Sequence, residues 1–296
     1  MTPDPEGVAR GDLTDEQWRR LEPLLPPLPK MGRPPRDRRQ VFDGIWWRAR
    51  TGSPWRDVPE RYGPGETAYT LFRRWQIDGT WATVLQVAAD AAGHIEWEVS
   101  VDSTVCRARQ HEAGARKKGA HGPGRASANG VAPEPDDHAL GRSRGGLTTK
   151  THLAVDASFH VLAAVVTAGQ RADAPVFTEV MNRIRVPRIG GGHPRTRPGH
   201  VLADRADSSR AIREYLRRRQ IPHAIPEKRD QAGHRLRRGT AGGRPPSFDR
   251  EMYNRRHKVE SRIGPLKQAR GLATRYDKLA VRHEATVQLT LIRQGL

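Results

Sequence analysis

The sequence predicts a chain in two parts: an all-helical region over residues 1–94, then an α/β region with a mixed sheet and flanking helices over 95–296. Apolar and aromatic residues recur at helical spacing through the first part. At Trp97 the pattern changes to alternation, with Trp97, Val99 and Val101 set among Glu96, Glu98 and Ser100. From there on, short apolar runs alternate with amphipathic stretches.

The helical part divides at its turn residues. Residues 13–25 place Trp18, Leu21, Leu24 and Leu25 at helical spacing, with Thr14 as N-cap and Pro26-Pro27 as the stop. A basic, proline-containing connector covers 30–39. A second helix over 37–50 carries Val41, Ile45 and Trp46 on one side, and the turn TGSPWRDVPERYG leads to a third over 66–77, bearing Tyr69, Phe72, Arg73 and Arg74. A fourth spans 80–92. Short helices joined by tight turns fit a helix-turn-helix type DNA reader, with Arg73 and Arg74 as the face offered to DNA. They also fit a plain helical bundle, and for the individual tryptophans a core position is the favoured reading.

In the second part the first strand is expected to end at Asp102. Residues 107–147 are rich in Gly, Ala, Arg and His and read as a flexible basic insertion. THLAVDASFHVLAAVVTAG reads as two strands joined at 156–158, and 174–184 as a helix. Val201-Leu202-Ala203 is a short strand ending at Asp204; then come a basic helix over 208–219, a short strand over 223–226, a Gly/Pro-rich basic stretch over 227–247 and helix from 248 onward.

Composition narrows the partners. With 52 Lys and Arg against 33 Asp and Glu, the net charge is +19, spread along the chain. Such a chain attracts polyanions, because each cation set against a phosphate releases condensed counterions. Anionic membranes answer to the same sign, but no apolar run reaches the length of a span and the first residues lack the apolar stretch of a leader. Cys106 is the only cysteine, which excludes an internal disulfide and a Cys-rich zinc site; none of the 12 histidines, His111, His121, His138 and His257 among them, shows paired metal spacing. A cytoplasmic, nucleoid-associated protein facing nucleic acid is the expectation.

Asp102 and Asp204 each follow a predicted strand, and carboxylates so placed can converge above a sheet. Glu260 lies in the basic stretch YNRRHKVESRIGPLKQAR. Taken singly, each acid reads as a salt-bridged surface group. Together they suit phosphodiester cleavage, in which a pair of Mg²⁺ ions about 4 Å apart, held by hard oxygen ligands, activates one oxygen and stabilises another. In a single helix from 253 to 267, Tyr253, Arg256, Glu260 and Lys267 fall within an arc of about 60° at about 100° per residue.

Read as Y-x2-R-x3-E-x6-K, those four residues resemble the YREK signature of bacterial insertion-sequence transposases of the DDE type, the insertion sequence 5-like group. The strings GLATRYDKLA at 271–280, GRSRGGLTTKTHLAVD at 141–156, VDST at 101–104 and the opening LTDEQWRRLEPLLP agree with it in order and spacing. The resemblance implies a ribonuclease-H-like catalytic domain in which Asp102, Asp204 and Glu260 bind two Mg²⁺ ions, Mn²⁺ substituting. It implies an endonuclease that nicks the ends of its own element and directs the freed 3′-hydroxyl at target DNA. Arg256 and Lys267 would hold phosphates with Tyr253 beside them, the helical region would read the terminal inverted repeats, and a homodimer would act on paired ends. The chain departs from the pattern at Asp207, where relatives carry an aromatic residue; Asp207 is expected in the turn or as the cap of the helix from 208. It departs again at Gly264-Pro265, where proline is expected to bend Lys267 off the shared face. A non-catalytic DNA-binding regulator, a decayed copy and a plain nuclease of the same fold remain open on the sequence.

Overall fold

The helical and sheet parts meet in one shared core, whose main tie lies in the string GLATRYDKLA. The computed structural model describes residues 11–28, 31, 34–91, 95, 97–109, 138–188 and 191–296. In the helical part, α1 (Asp15–Leu21) opens on a capping box between Thr14 and Gln17. It is followed by α2 (Arg38–Thr51), α3 (Gly65–Ile77) and α4 (Thr80–Ala91). Phe42, Phe72, Trp75 and Trp81 form its aromatic centre, and the Trp81 indole N–H donates to the Phe72 carbonyl at 3.0 Å. These tryptophans are core, as an amphipathic bundle requires.

The sheet is mixed, with seven strands in the described residues. At its centre β1 (Glu98–Ala108) pairs antiparallel with β3 (Gly146–Asp156), which is flanked by β2 (Gly141–Ser143) and β4 (Val161–Ala168). On its other side β1 pairs in parallel with β5 (His200–Ala203), and β5 with β6 (His223–Ala224). This is a mixed sheet with flanking helices, the α/β arrangement that the sequence predicts. The helix α5 (Ala174–Asn182) follows β4, and α6 (Arg210–Arg218) and α7 (Arg229–Arg237) flank β6 in sequence. The chain ends with α8 (Arg250–Asn254), α9 (His257–Leu266), α10 (Arg270–Ala273), β7 (Thr274–Arg275), which pairs with the far end of β1, and α11 (Ala280–Gly295).

Alternation along the strands sends side chains into two cores. Leu153 and Val155 join α1–α4, α9 and α11 on one face, while Ala154, Val99, Val101 and Val201 join α5 and α6 on the other. Each large side chain so buried contributes about 1.5–3 kcal/mol.

Several boundaries differ from the sequence expectation. Asp102 lies inside β1, because antiparallel pairing with β3 carries the strand on to Ala108; only the parallel pairing with β5 stops at Val101. The basic insertion is narrower than 107–147: β1 takes up Arg107 and Ala108, β2 and the start of β3 occupy 141–147, and His138 is buried. Residues 110–137, with His111 and His121, lie outside the described residues. Within 227–247, α7 is a helix that the high Gly and Arg content hid.

The string GLATRYDKLA is structural. A Cβ on Gly271 would stand 2.6 Å from the Ala49 carbonyl oxygen, so α10 and α2 touch backbone to backbone. The buried Arg275 guanidinium donates to the carbonyls of Ala139, Asp277 and Lys278 and to Thr149 Oγ1. Arg48 of α2 makes a two-pronged ion pair with buried Asp277, at 2.9 and 3.2 Å, and Thr286 donates to the same carboxylate at 2.9 Å. Burial works against the Asp277 charge, but Arg48 outweighs it and holds the carboxyl below its ordinary range. Removing one partner strands the other charge in the core, so Asp277→Ala is expected to cost about 3–5 kcal/mol in urea unfolding.

Asp43 on α2 behaves in the opposite way. Burial pushes its carboxyl up to about 6, although it accepts the Leu13 N–H at 3.0 Å. The folded protein therefore keeps this proton to higher pH than the unfolded chain, and stability falls as pH rises from about 4 to about 6. Asn retains the acceptor, so Asp43→Asn is expected to remove that slope in thermal melts across this range.

Candidate active site

The site forms where β5 stops. Its last pair is Ala203 with Val101, so the edge of β1 beyond Val101 is left open until β7 pairs with Arg107. Asp102 pairs with Leu153 across the sheet and Ser103 with His152, which puts the two side chains of β1 on opposite faces. The open edge lets one small cavity reach both. It has a volume of about 30 Å³ and is lined by Asp102, Ser103, His152, Asp173, Asp204 and Asp207, among others. That is room for a water molecule or a small cation.

Each aspartate has a distinct environment. Asp102 accepts the Ser103 N–H at 2.7 Å and Arg256 Nη1 at 3.1 Å. Burial raises its carboxyl above the ordinary value, with Arg256 opposing. Asp204 follows β5, caps the 3-10 turn Arg205–Asp207 and accepts the Arg205 N–H at 2.6 Å. Asp173 precedes α5; its Oδ1 accepts Ser103 Oγ at 2.8 Å and Lys150 Nζ at 3.2 Å, and lies 3.3 Å from His152 Nδ1. Burial lowers His152 to about 4 and leaves it neutral at pH 7, with Nε2 2.8 Å from Thr167 Oγ1. Asp207 is only 4% exposed and its Oδ1 has no hydrogen-bond partner. Burial, followed by the charges of Asp173, Asp204 and Asp102, pushes its carboxyl up to about 7. It is not the cap of α6: Ser209 is, accepting the Ile212 N–H at 3.3 Å.

Arg256 closes the site from the other side. Its Nη1 reaches Asp102 and its Nη2 reaches Glu260 Oε1 at 2.8 Å, so one guanidinium joins the central strand to the first turn of α9. The single helix expected over 253–267 does not exist. It breaks at Arg255-Arg256, where Arg255 N and Arg256 N bond back three residues to the Met252 and Tyr253 carbonyls. Both residues keep right-handed helical dihedrals, so the helix tightens there; α8 packs on β5 and β6 whereas α9 packs on β1 and β3. Tyr253, on α8, packs against Phe248 in a tilted ring contact with centroids 5.4 Å apart, and an interruption at Arg255-Arg256 separates it from Glu260 on α9. Pro265 lies inside α9, whose last turn tightens as Lys267 N bonds to the Gly264 carbonyl at 3.2 Å; Lys267 is the exposed C-cap.

The structure thus brings Asp102, Asp204 and Arg256 together, with Glu260 attached through Arg256. Arg73 and Arg74 stand exposed on α3, which packs on α2, α4 and α11. Ser103, Lys150, His152 and Asp173 escaped the sequence reading. Their signal was weak: Lys150 and His152 stand two residues apart on one strand, and only the register places His152 opposite Ser103 and Lys150 opposite Val105.

Among the described residues, no three acids, histidines or cysteines are grouped as one metal-holding set. The donor chemistry nonetheless suits a hard divalent cation: four aspartates line one small cavity, and one of their buried oxygens is unpartnered.

The fold is a mixed α/β sheet with four aspartates around one cavity beside its central strand, and the comparisons give its family. The family model described as "Transposase DDE domain" matches residues 93–293, and one described as "Putative transposase of IS4/5 family" matches 13–85. The chain belongs to the DDE transposases. It is 41% identical over 106 residues to the uncharacterized protein y4sN of Sinorhizobium fredii, covering 36% of this chain and 83% of that one. It is 35% identical over 104 residues to a putative transposase for insertion sequence element IS402 of Burkholderia cepacia, covering 35% and 46%. The Mos1 transposase paired-end complex with the left transposon end covers 81% of this chain and 82% of its own, at 12% identity and a TM-score of 0.25, too distant a likeness to carry weight. No described helix is long and apolar enough to cross a membrane.

Asp173 neutralises half-buried Lys150, so Asp173→Ala is expected to cost about 2–3 kcal/mol in thermal or urea unfolding.

Proposed function

We propose that this transposase cuts the ends of its own insertion sequence and joins the freed 3′-hydroxyl to target DNA, using Asp102, Asp204 and Glu260 to hold two Mg²⁺ ions, with Mn²⁺ able to replace them. The supporting observation is that Arg256 joins Asp102 of the central strand to Glu260 of α9, beside the cavity that Asp204 lines. A guanidinium at that point marks a place where positive charge stabilises both carboxylates. When bound, divalent ions supply Lewis-acid stabilisation of the attacking and leaving oxygens of the phosphodiester.

The chain's own groups do the positioning. Asp102 is held by the Ser103 N–H and a rigid central strand, and Asp204 by the turn it caps. Arg256, released from its two carboxylates, has its fork free for a phosphate next to the cut, where planar two-pronged recognition is strongest. Lys267, exposed at the end of α9, and Tyr253, on α8, flank the DNA path. Arg73 and Arg74 on α3 contact the terminal inverted repeats, and a homodimer pairs the two ends in a nucleoid-associated, cytoplasmic setting.

The test is cleavage of a DNA duplex carrying the element's own end, with Mg²⁺ or Mn²⁺. Asp102→Ala, Asp204→Ala and Glu260→Ala are each expected to lower cleavage by at least about 10³-fold, and Arg256→Ala by about 10²-fold. Cleavage that survives Asp102→Ala or Glu260→Ala would overturn the assignment. Cutting without joining of a pre-cut end would make the protein a plain nuclease, and binding without any product a regulator or decayed copy.

A further inference from the structure

We infer that Asp207 is a fourth carboxylate of the cation site, facing the same bound divalent ion as Asp102 and Asp204. The inference rests on the metal reading above. The other three aspartates around the cavity each have at least one oxygen held: both of Asp102, by Ser103 and Arg256, Oδ1 of Asp204 by the Arg205 N–H, and Oδ1 of Asp173 by Ser103 and Lys150. Asp207 Oδ1 alone among these acids is buried without a partner, in a residue 4% exposed that lines the cavity with the other three. A buried carboxylate oxygen left without a donor is costly, and a cation relieves that cost directly.

The local fold aims it there. The turn from Arg205 to Asp207 is tied by the Asp207 N–H to the Asp204 carbonyl at 2.9 Å, which presents both acids from one short segment. Capping of α6 falls to Ser209, so Asp207 has no structural duty at the helix start. Lys228, whose charge bears on Asp207, makes no ion pair with it in the described structure, which leaves the carboxylate available to a ligand. Hard oxygen donors and a cavity of about 30 Å³ suit Mg²⁺ or Mn²⁺ with its remaining positions filled by water or phosphate.

The test is calorimetric titration of the full-length protein with Mn²⁺ in the absence of DNA. It compares wild type with Asp207→Asn, Asp207→Glu, Asp102→Asn and the remote control Asp57→Asn. Asp207→Asn is expected to weaken Mn²⁺ binding by about 10–100-fold, with partial recovery in Asp207→Glu and no change in Asp57→Asn. Unchanged affinity in a folded Asp207→Asn variant overturns the inference while leaving the metal reading intact. Absence of Mn²⁺ binding in the wild type, or binding indifferent to Asp102→Asn, overturns the metal reading itself. If the variants do not fold, the side-chain carboxyl carbon of Asp207 in ¹³C-labelled wild type is followed as Mg²⁺ is added. A saturable shift supports ligation, and an unmoved resonance refutes it.

Discussion

Four carboxylates crowd the cavity at the open edge of β1, and their mutual repulsion is the constraint that the surrounding structure answers. Asp102, Asp173, Asp204 and Asp207 line a space of about 30 Å³. In water at 4 Å, two like charges cost about 1 kcal/mol; at the effective dielectric near a protein surface the cost is about 4. Each acid here has a different answer. Lys150 sits on Asp173, Arg256 on Asp102, a backbone amide on Asp204, and burial with three neighbouring charges drives Asp207 towards its neutral form. Such an arrangement favours any added positive charge, and its cationic surroundings match a chain of net charge +19 that must handle DNA.

The packing of the last helices follows the sheet: α8 lies on β5 and β6, and α9 on β1 and β3. A straight helix would hold Tyr253, Arg256, Glu260 and Lys267 on one face but could not follow both β5–β6 and β1–β3. Arg256 stands at the interruption between α8 and α9, where its side chain is only 15% exposed and reaches Asp102 and Glu260 together. Glu260 remains 58% exposed, so it is the carboxylate with freedom to swing towards Asp102 once the guanidinium leaves.

Much of this was legible in the sequence. Alternation around Val99 and Val101, the short strand before Asp204 and the four helices of the first part all follow from periodicity, because burial on one face or two leaves a direct imprint on residue order. The string GLATRYDKLA pointed to the family for a reason unrelated to chemistry: its Asp277 ties this segment to α2 through Arg48. What the sequence hid was register and corners. Lys150 and His152 look like ordinary strand residues until pairing sets His152 opposite Ser103 and both near Asp173. The sequence leaves Asp207 open between the turn and the helix cap, and the backbone puts it in the 3-10 turn while Ser209 caps α6. The helix break was hidden because hydrophobic periodicity averages over the two residues that make the turn.

The central claim is that Asp102, Asp204 and Glu260 share a divalent cation once Arg256 gives way. Anomalous scattering from crystals of the protein grown with Mn²⁺ and element-end DNA tests it most directly. The expected result is a manganese peak within about 2.2 Å of carboxylate oxygens of Asp102 and Asp204, with Glu260 turned in and Arg256 on a phosphate. A map with no peak in that cavity, and Arg256 still between Asp102 and Glu260 beside bound DNA, would contradict it.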